Sequence, residues 1–491
     1  MKSWPKYPAI YEINTFVWLN ELSGKHGRQV TLGTVPDDEW DYIASLGFDA
    51  VWFMGVWERS PAGRKIALAN TGLMTEFRNV LPDFTEKDLV GSAYCVKNYV
   101  VDRQIGGPEG LAHARDLLAR RGMRLILDFV PNHVAPDHPW VTEHPEYFVR
   151  GTEEDLRRDP SSFISSGKNI IALGRDPYFP AWPDVVQLNA FNMGLREAVL
   201  ETVSGIAEQC DGIRCDMAML AMNNIFSKTW GNRAGEKPSE EYWPSLIHKI
   251  KDKFSGFLFI AEAYWDLEWE LQQQGFDFCY DKKLYDRMEH AGADEIRSHL
   301  FADMQYQDKL IRFIENHDEP RAAKTFHPAK EKMAALAIAT LPGAKLVHEG
   351  QLENRKARVP VFLGRRPQEP VDTEIFNFYQ NMLMQTSGDV FRNGAWQMCD
   401  IYGWPDNNSC RNILAWSWRK DNNHYLIILN FSDSSSQAMV KVVWPELYGK
   451  MVRLSDPIAG VNYDRLGSEM ADKGLYVMLD PWKCHFFKIE I

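Results

Sequence analysis

The sequence predicts an α/β protein: a (β/α)8 barrel with an insertion after the third strand and a C-terminal antiparallel β domain. Three observations predict it. Several segments repeat one order, an amphipathic helical run, a glycine or turn, then a short apolar strand ending in a polar or acidic residue. The count of such strands reaches eight. Beyond about residue 388 the period changes from that of helices to two. In the first clear repeat Leu111, Ala114, Leu117 and Leu118 form a helical face, Gly122 stops it, and residues 123–130 (MRLILDFV) are apolar enough for a strand buried on both sides, with Asp128 near its end. Val199, Val203, Ile206 and Ala207 repeat the face, Gly212 follows, and strand 213–215 delivers Asp216. Leu246, Ile247, Ile250 and Phe254, then Gly256, lead to strand 257–261 (FLFIA) and Glu262. A strand over 309–314 delivers Glu315, Asn316, His317 and Asp318. Segments 10–13, 50–54, 276–280 and 345–347 complete the eight. A doubly wound sheet is the alternative, but no glycine-rich phosphate loop follows any of these strands.

Two regions break the repeat. Residues 134–186 are rich in Pro, His, Asp and Arg without helix–strand alternation and read as an excursion over the site. Segments 412–418, 425–431, 439–443 and 475–478 alternate with period two between turn signals. The expected organisation is a catalytic barrel over 1–133 and 187–387, an insertion over 134–186, and a β-sandwich domain over 388–491.

At 491 residues the chain exceeds a single ordinary domain, and 45% apolar residues supply a large core. With 55 Lys plus Arg against 67 Asp plus Glu the formal charge is −12, which opposes nucleic acid and anionic lipid. The 17 Trp and 18 Tyr serve either packing or flat platforms for stacking sugars. Seven cysteines without CxxC or Cys/His ligand spacing read as reduced thiols, the N-terminus shows no apolar export segment, and no stretch reaches the length of a membrane span. A cytoplasmic location is therefore expected, and no pattern in the chain fixes an oligomeric state.

Asp216, Glu262 and Asp318 stand at expected strand ends. Singly, each also reads as a helix cap or an ion-paired strand end. Together, with Arg214, His133 and His317, they would crowd one pocket of a parallel barrel, where like charges push pKa values apart so that one acid stays protonated while another ionises beside Arg214. Cleavage of a glycosidic bond needs that pair: a proton for the leaving oxygen and a carboxylate for the anomeric carbon. Arg214 lies two residues before Asp216, on the same face of its strand. His133 and His317 are either core histidines bonded to backbone or ligands of the site.

Asp128-Phe-Val-Pro-Asn132-His133, Gly212-Ile-Arg214-Cys-Asp216, Glu262 after FIA, and Phe313-Ile-Glu-Asn316-His317-Asp318 resemble, in order and spacing, the four signature stretches of the α-amylase family, glycoside hydrolase family 13. The resemblance implies that Asp216 is the nucleophile, Glu262 the general acid/base and Asp318 the third acid, with Asp128, Arg214, His133 and His317 around the sugar. Gly91-Ser-Ala-Tyr94 resembles the stretch whose Tyr stacks under that sugar, so Tyr94 is a platform by resemblance and a packing residue by the plain reading. Asn98 stands where many relatives have Asp, and Met219 and Leu220 replace a Lys-His pair tied to an acceptor sugar and to calcium. Asn132 matches a calcium ligand of the family and is the single metal-ligand candidate; no cofactor is expected to be required. The implied activity is retaining hydrolysis of α-glucans or maltooligosaccharides, with transfer of the same covalent intermediate to a sugar hydroxyl, as in α-glucanotransferases and maltosyltransferases, as the rival. A catalytically silent binding subunit would lack part of the acid triad, and all three acids are present.

Overall fold

The computed structural model describes residues 3–442 and 444–490. Eight parallel strands close a barrel: β1 (Ala9–Asn14), β2 (Ala50–Met54), β3 (Arg124–Phe129), β4 (Gly212–Cys215), β5 (Leu258–Ala261), β6 (Phe278–Tyr280), β7 (Leu310–Arg312) and β8 (Ala344–His348), each hydrogen-bonded to its neighbours in chain order, with β1 joining β8. These are the eight predicted strands, with no end moved by more than two residues. The seventh shortens most. The Asn316 side chain accepts the backbone N–H groups of Asp318 and Glu319, both at 2.9 Å, and turns the chain out of the ladder just past the strand.

The predicted helical faces are those that pack. Leu111, Ala114, Leu117 and Leu118 of helix Gly107–Arg120 are buried, as are Val199, Val203, Ile206 and Ala207 of Met193–Ala207. Gly122 and Gly256 take positive φ, both 78°, in the turns that lead into strands. Gly212 does different work from the turn expected of it. It lies inside β4 facing the barrel interior, where a Cβ would stand 2.7 Å from the Leu258 Cβ, so the position requires the absence of a side chain.

Inward positions alternate along each strand and change character from one end to the other. Ile10, Ala50, Ile126, Leu258 and Ala344 fill the interior near the strands' beginnings, and Glu12, Asp128, Arg214, Asp216, Glu262 and His348 occupy the same faces toward their ends. The apolar layers are the floor on which the polar end rests.

After β3 the chain leaves the barrel. A two-residue antiparallel pairing of His133–Val134 with Val186–Gln187 forms a neck. The excursion, expected to lack regular elements, contains short ones: helices Trp140–Glu143 and Glu153–Arg158 and a hairpin of Phe163–Ser166 with Asn169–Ala172. Elements of four to six residues leave too few turns for a periodic signal; the second helix is instead held by a capping box between Thr152 and Asp155, with Arg233 bridging Asp155 at 2.7 Å.

The C-terminal part forms a six-stranded antiparallel sheet (Ala395–Met398, Ile413–Lys420, Asn423–Asn430, Cys484–Glu490, Met451–Asp456, Val461–Leu466) and a three-stranded one (Ile401–Tyr402, Ser436–Val440, Leu475–Leu479). The strand expected over 439–443 spans Ser436–Val440; Val443 lies outside the described residues. Ile413, Ala415, Leu426 and Ile428 pack within this part, whereas Leu414, Trp416, Trp418 and Leu429 join the core that surrounds the barrel. The indole N–H groups of Trp416 and Trp418 donate to the hydroxyl and carbonyl of Thr340, at the end of the helix before β8. Among the described residues no helix is long and apolar enough to cross a membrane.

Candidate active site

Strand register sets the site. Cys215 pairs with Ala261, so Asp216 and Glu262 are the next residues on adjacent strands. Their backbones are fixed: Asp216 N–H donates to Phe129 O at 2.8 Å, and Glu262 N–H to Cys215 O at 3.1 Å. Arg214, opposite Asp128 of β3 in the register, is fully buried and faces the same interior. Its guanidinium reaches four carboxylates: Asp216 at 2.8 Å, Glu262 at 2.7 Å, Asp128 at 3.6 Å and Asp318 at 3.9 Å. The rings of Tyr94, Trp52 and Tyr280 lie 5.1, 5.4 and 5.7 Å from the same cation.

Each acid has a different surrounding. Glu262 accepts the Met217 N–H at 2.6 Å and the Tyr264 hydroxyl at 3.0 Å; burial, reinforced by Asp216 and Asp318 and opposed by Arg214, pushes its carboxyl up to about 7. Burial also raises Asp216, against the pull of its hydrogen bond from Arg214. Asp128 accepts Gly55 N–H at 3.2 Å and is pushed up by burial to about 6. Asp318 is the open one, with 41% of its side chain exposed. Burial would raise it, but His317, whose Nε2 stands 2.9 Å away, together with Arg214 and Arg358, holds it below the usual carboxylate range. The backbone is strained where it supports Glu262: Met217, Trp265 and Asp266 have φ of 42°, 63° and 61°, the left-handed region that non-glycine residues avoid.

The predicted residues divide into those gathered at Arg214 and those at the neck. Asp128, Asp216, Glu262, Asp318, His317 and Tyr94 are gathered. Tyr94 stacks on the His317 ring (5.3 Å, 25°), and its hydroxyl meets Nε2 at 2.7 Å. His133 and Asn132 belong to the neck. His133 packs against Trp182 at 5.2 Å, and burial pushes its imidazole down to about 4, so it is neutral. The Asn132 carboxamide oxygen accepts the Gln187 side chain at 2.9 Å. Calcium wants six or more oxygens; here the candidate oxygen is bonded to an amide, Met219 and Leu220 are buried apolar residues, and no cluster of three or more His, Cys, Asp or Glu among the described residues could hold a metal.

Glu12, Trp52, Tyr264 and Tyr280 were missed from sequence. Glu12 had a signal, an acid inside the apolar run of β1 (AIYEIN) on the face that Ile10 turns inward. Tyr264 and Tyr280 had none, because an aromatic at a strand end reads as packing.

Residues 37–409, about three quarters of the chain, match the family model of the α-amylase catalytic domain. The chain belongs to the α-amylase family. Among its relatives, it is 24% identical over 366 residues to the α-amylase MalA of Haloarcula japonica, covering 72% of this chain and 45% of that protein. It is 22% identical over 281 residues to the trehalose synthase/amylase TreS of Mycobacterium tuberculosis, covering 53% and 40%. It is 28% identical over 231 residues to an α-1,4-glucan:maltose-1-phosphate maltosyltransferase of Cereibacter sphaeroides, covering 45% and 28%. The chain thus spans under half the length of these relatives. Its fold is that of the maltogenic α-amylase AmyB of Thermotoga neapolitana (TM-score 0.71, 19% identity, 99% of both chains). In this α-amylase-family chain Glu262 has a thermodynamic signature. Its folded-state carboxyl titrates at about 7 rather than at the ordinary 4.5, so the folded form gives up stability as pH rises through that window. Glu262→Gln cannot ionise, and its stability gain over wild type should be smallest below about pH 4.5 and grow to a few kcal/mol above about pH 7. Denaturant midpoints measured across pH check this.

Proposed function

We propose that the chain is a retaining glycoside hydrolase that cleaves α-glucosidic bonds of α-glucans and maltooligosaccharides by double displacement. The single observation that carries this reading is one buried guanidinium shared by Asp216 and Glu262 at adjacent strand ends. Asp216, bonded to Arg214, attacks the anomeric carbon, and Glu262, held near 7, gives its proton to the leaving oxygen. The resulting glycosyl ester is hydrolysed by water from which Glu262, now ionised, takes a proton. Asp318, ionised beside His317, holds sugar hydroxyls, and Tyr94, Asp128, Arg214, His133 and His317 surround the same sugar. The neutral state of His133 suits an acceptor or donor for a hydroxyl rather than a charge partner.

A second reading, transfer of the intermediate to a sugar hydroxyl, draws support from the relatives named trehalose synthase and maltosyltransferase. Product analysis on maltooligosaccharides, pullulan, trehalose, sucrose and maltose 1-phosphate, with and without an acceptor, separates the two: free reducing sugar supports hydrolysis, and elongated or isomerised products support transfer. We further propose that the protein works in the cytoplasm and without a metal, on the grounds that all seven cysteines are free thiols and that the Asn132 amide is bonded to Gln187.

Three outcomes are expected. Asp216→Asn keeps the shape but cannot form the glycosyl ester, and turnover should fall by several powers of ten, on the order of 5 kcal/mol or more in barrier, while the protein remains folded, its melting temperature at neutral pH no lower than that of wild type because burial raises the Asp216 carboxyl. Proton NMR of the first-formed product from an α-linked substrate should show the α-anomer; an initial β-anomer would remove Asp216 from its role. Chelation with EDTA should leave activity unchanged and shift the melting temperature by less than about two degrees, since only a bound ion stabilises by mass action.

A further inference from the structure

His317 stands between two carboxylates. Its Nδ1 lies 2.5 Å from an oxygen of Glu12, and its Nε2 lies 2.9 Å from an oxygen of Asp318 and 2.7 Å from the Tyr94 hydroxyl. Glu12 is fully buried, on β1, two strands round the barrel from β7 with β8 between them, and none of the steps above uses it. A neutral imidazole offers one N–H and one lone pair, so it can satisfy only one of two carboxylates; the imidazolium offers an N–H to each. The geometry therefore selects the charged ring.

We propose that Glu12 is a positioning residue: facing Nδ1 while Asp318 faces Nε2, it keeps His317 doubly protonated, so the ring has no lone pair to take the Tyr94 proton and that hydroxyl keeps it for a sugar hydroxyl. The use of that proton rests on the functional reading above; the protonation of the ring does not. Other charged and titratable groups face His317 from neighbouring elements. Asp128 of β3 adds to the attraction, Arg214 of β4 opposes it, and His348 of β8 would oppose it only if charged. His348 is held neutral, down to about 3, by burial and by Arg321, so the cation it could have contributed is absent. Trp52 closes the remaining side with an edge contact at 5.5 Å. Burial works against the imidazolium, but Asp318 and Glu12 outweigh it and place its titration well above the ordinary histidine range.

The test is the side-chain ¹⁵N titration of His317 in the intact, unliganded protein, its signals assigned by their loss in His317→Gln. Wild type should show both ring nitrogens protonated through neutral pH. Glu12→Gln preserves an acceptor oxygen and removes the charge, and should lower the titration midpoint by at least about one pH unit; Glu12→Asp should restore much of it. A neutral His317 in wild type at pH 7, or an unchanged midpoint in Glu12→Gln, would overturn the proposal. Should Glu12→Gln not fold, the wild-type titration alone decides. No substrate enters these measurements, so they stand or fall separately from the assignment of α-glucan hydrolysis. As a companion readout, kcat/KM of Glu12→Gln should fall relative to wild type by a larger factor at alkaline than at acidic pH, where the ring is charged in both; equal factors at both ends would mark Glu12 as merely structural and overturn the proposal.

Discussion

A single buried guanidinium organises this molecule's reactive end. Taking an ion the size of the Arg214 side chain out of water costs several kcal/mol even after relaxation, and Arg214 is fully buried. Its partners offset that cost only by being many and close, and they come from separate strands and a loop. Asp128, Asp216, Glu262 and Asp318 thus have their positions dictated by a shared need to face one point. The same point has too few cations for its acids. Arg214 and His317 carry two positive charges against five carboxylates once Glu12 is counted. Such an excess favours keeping protons on the least compensated groups, which fits the upward displacement of Asp128 and Glu262. An acid able to hold a proton near neutral pH thereby follows from the charge balance of the whole cluster rather than from any feature of Glu262 alone.

The arrangement depends equally on what lies beneath. Ile10, Ile126, Leu258 and Ala344 fill the interior two or four residues before the charged layer, and Gly212 lets β4 and β5 approach where a methyl would collide with Leu258. That approach fixes the sideways relation of Asp216 and Glu262, because both are the first residues past the same stretch of ladder. Packing at the floor and chemistry at the rim are consecutive positions of one alternating pattern.

How much of this was legible in the sequence follows the same division. Three of the eight strands could be read because each is a short apolar run after an amphipathic helix with a glycine nearby, the others as apolar runs alone, and the acids because a charge at the end of such a run is conspicuous. Their gathering around Arg214 followed from barrel geometry. The insertion's short helices and hairpin were not legible, since Glu153–Arg158 is held by one capping box and a salt bridge to Arg233 rather than by a hydrophobic stripe. Glu12 escaped because its partner His317 is 305 residues away. Gly212 was read as a turn because a glycine before a strand has the same appearance whether it turns the chain or clears space for a neighbour. The sequence did not show that His133 also begins the neck pairing with Gln187 and packs its ring against Trp182.

The neck itself has a property that the acid cluster lacks. Gln187 is wholly buried and donates to the Asn132 carboxamide and carbonyl oxygens and to the Leu188 carbonyl, so the neck of the excursion is clasped by amides, while carboxylates serve farther out, Asp155 paired with Arg233 and Asp137 accepting from Ser60 and Ala62. Amides carry no charge and have no proton to gain or lose in the range where proteins fold. Acidification that neutralises the carboxylates around Arg214, or salt that screens them, leaves these bonds as they were. The neck is therefore tied down by a fastening that is deaf to the very variables that tune the chemistry beside it, and what acid or salt can loosen is the outer part of the excursion, at Asp155–Arg233 and Asp137.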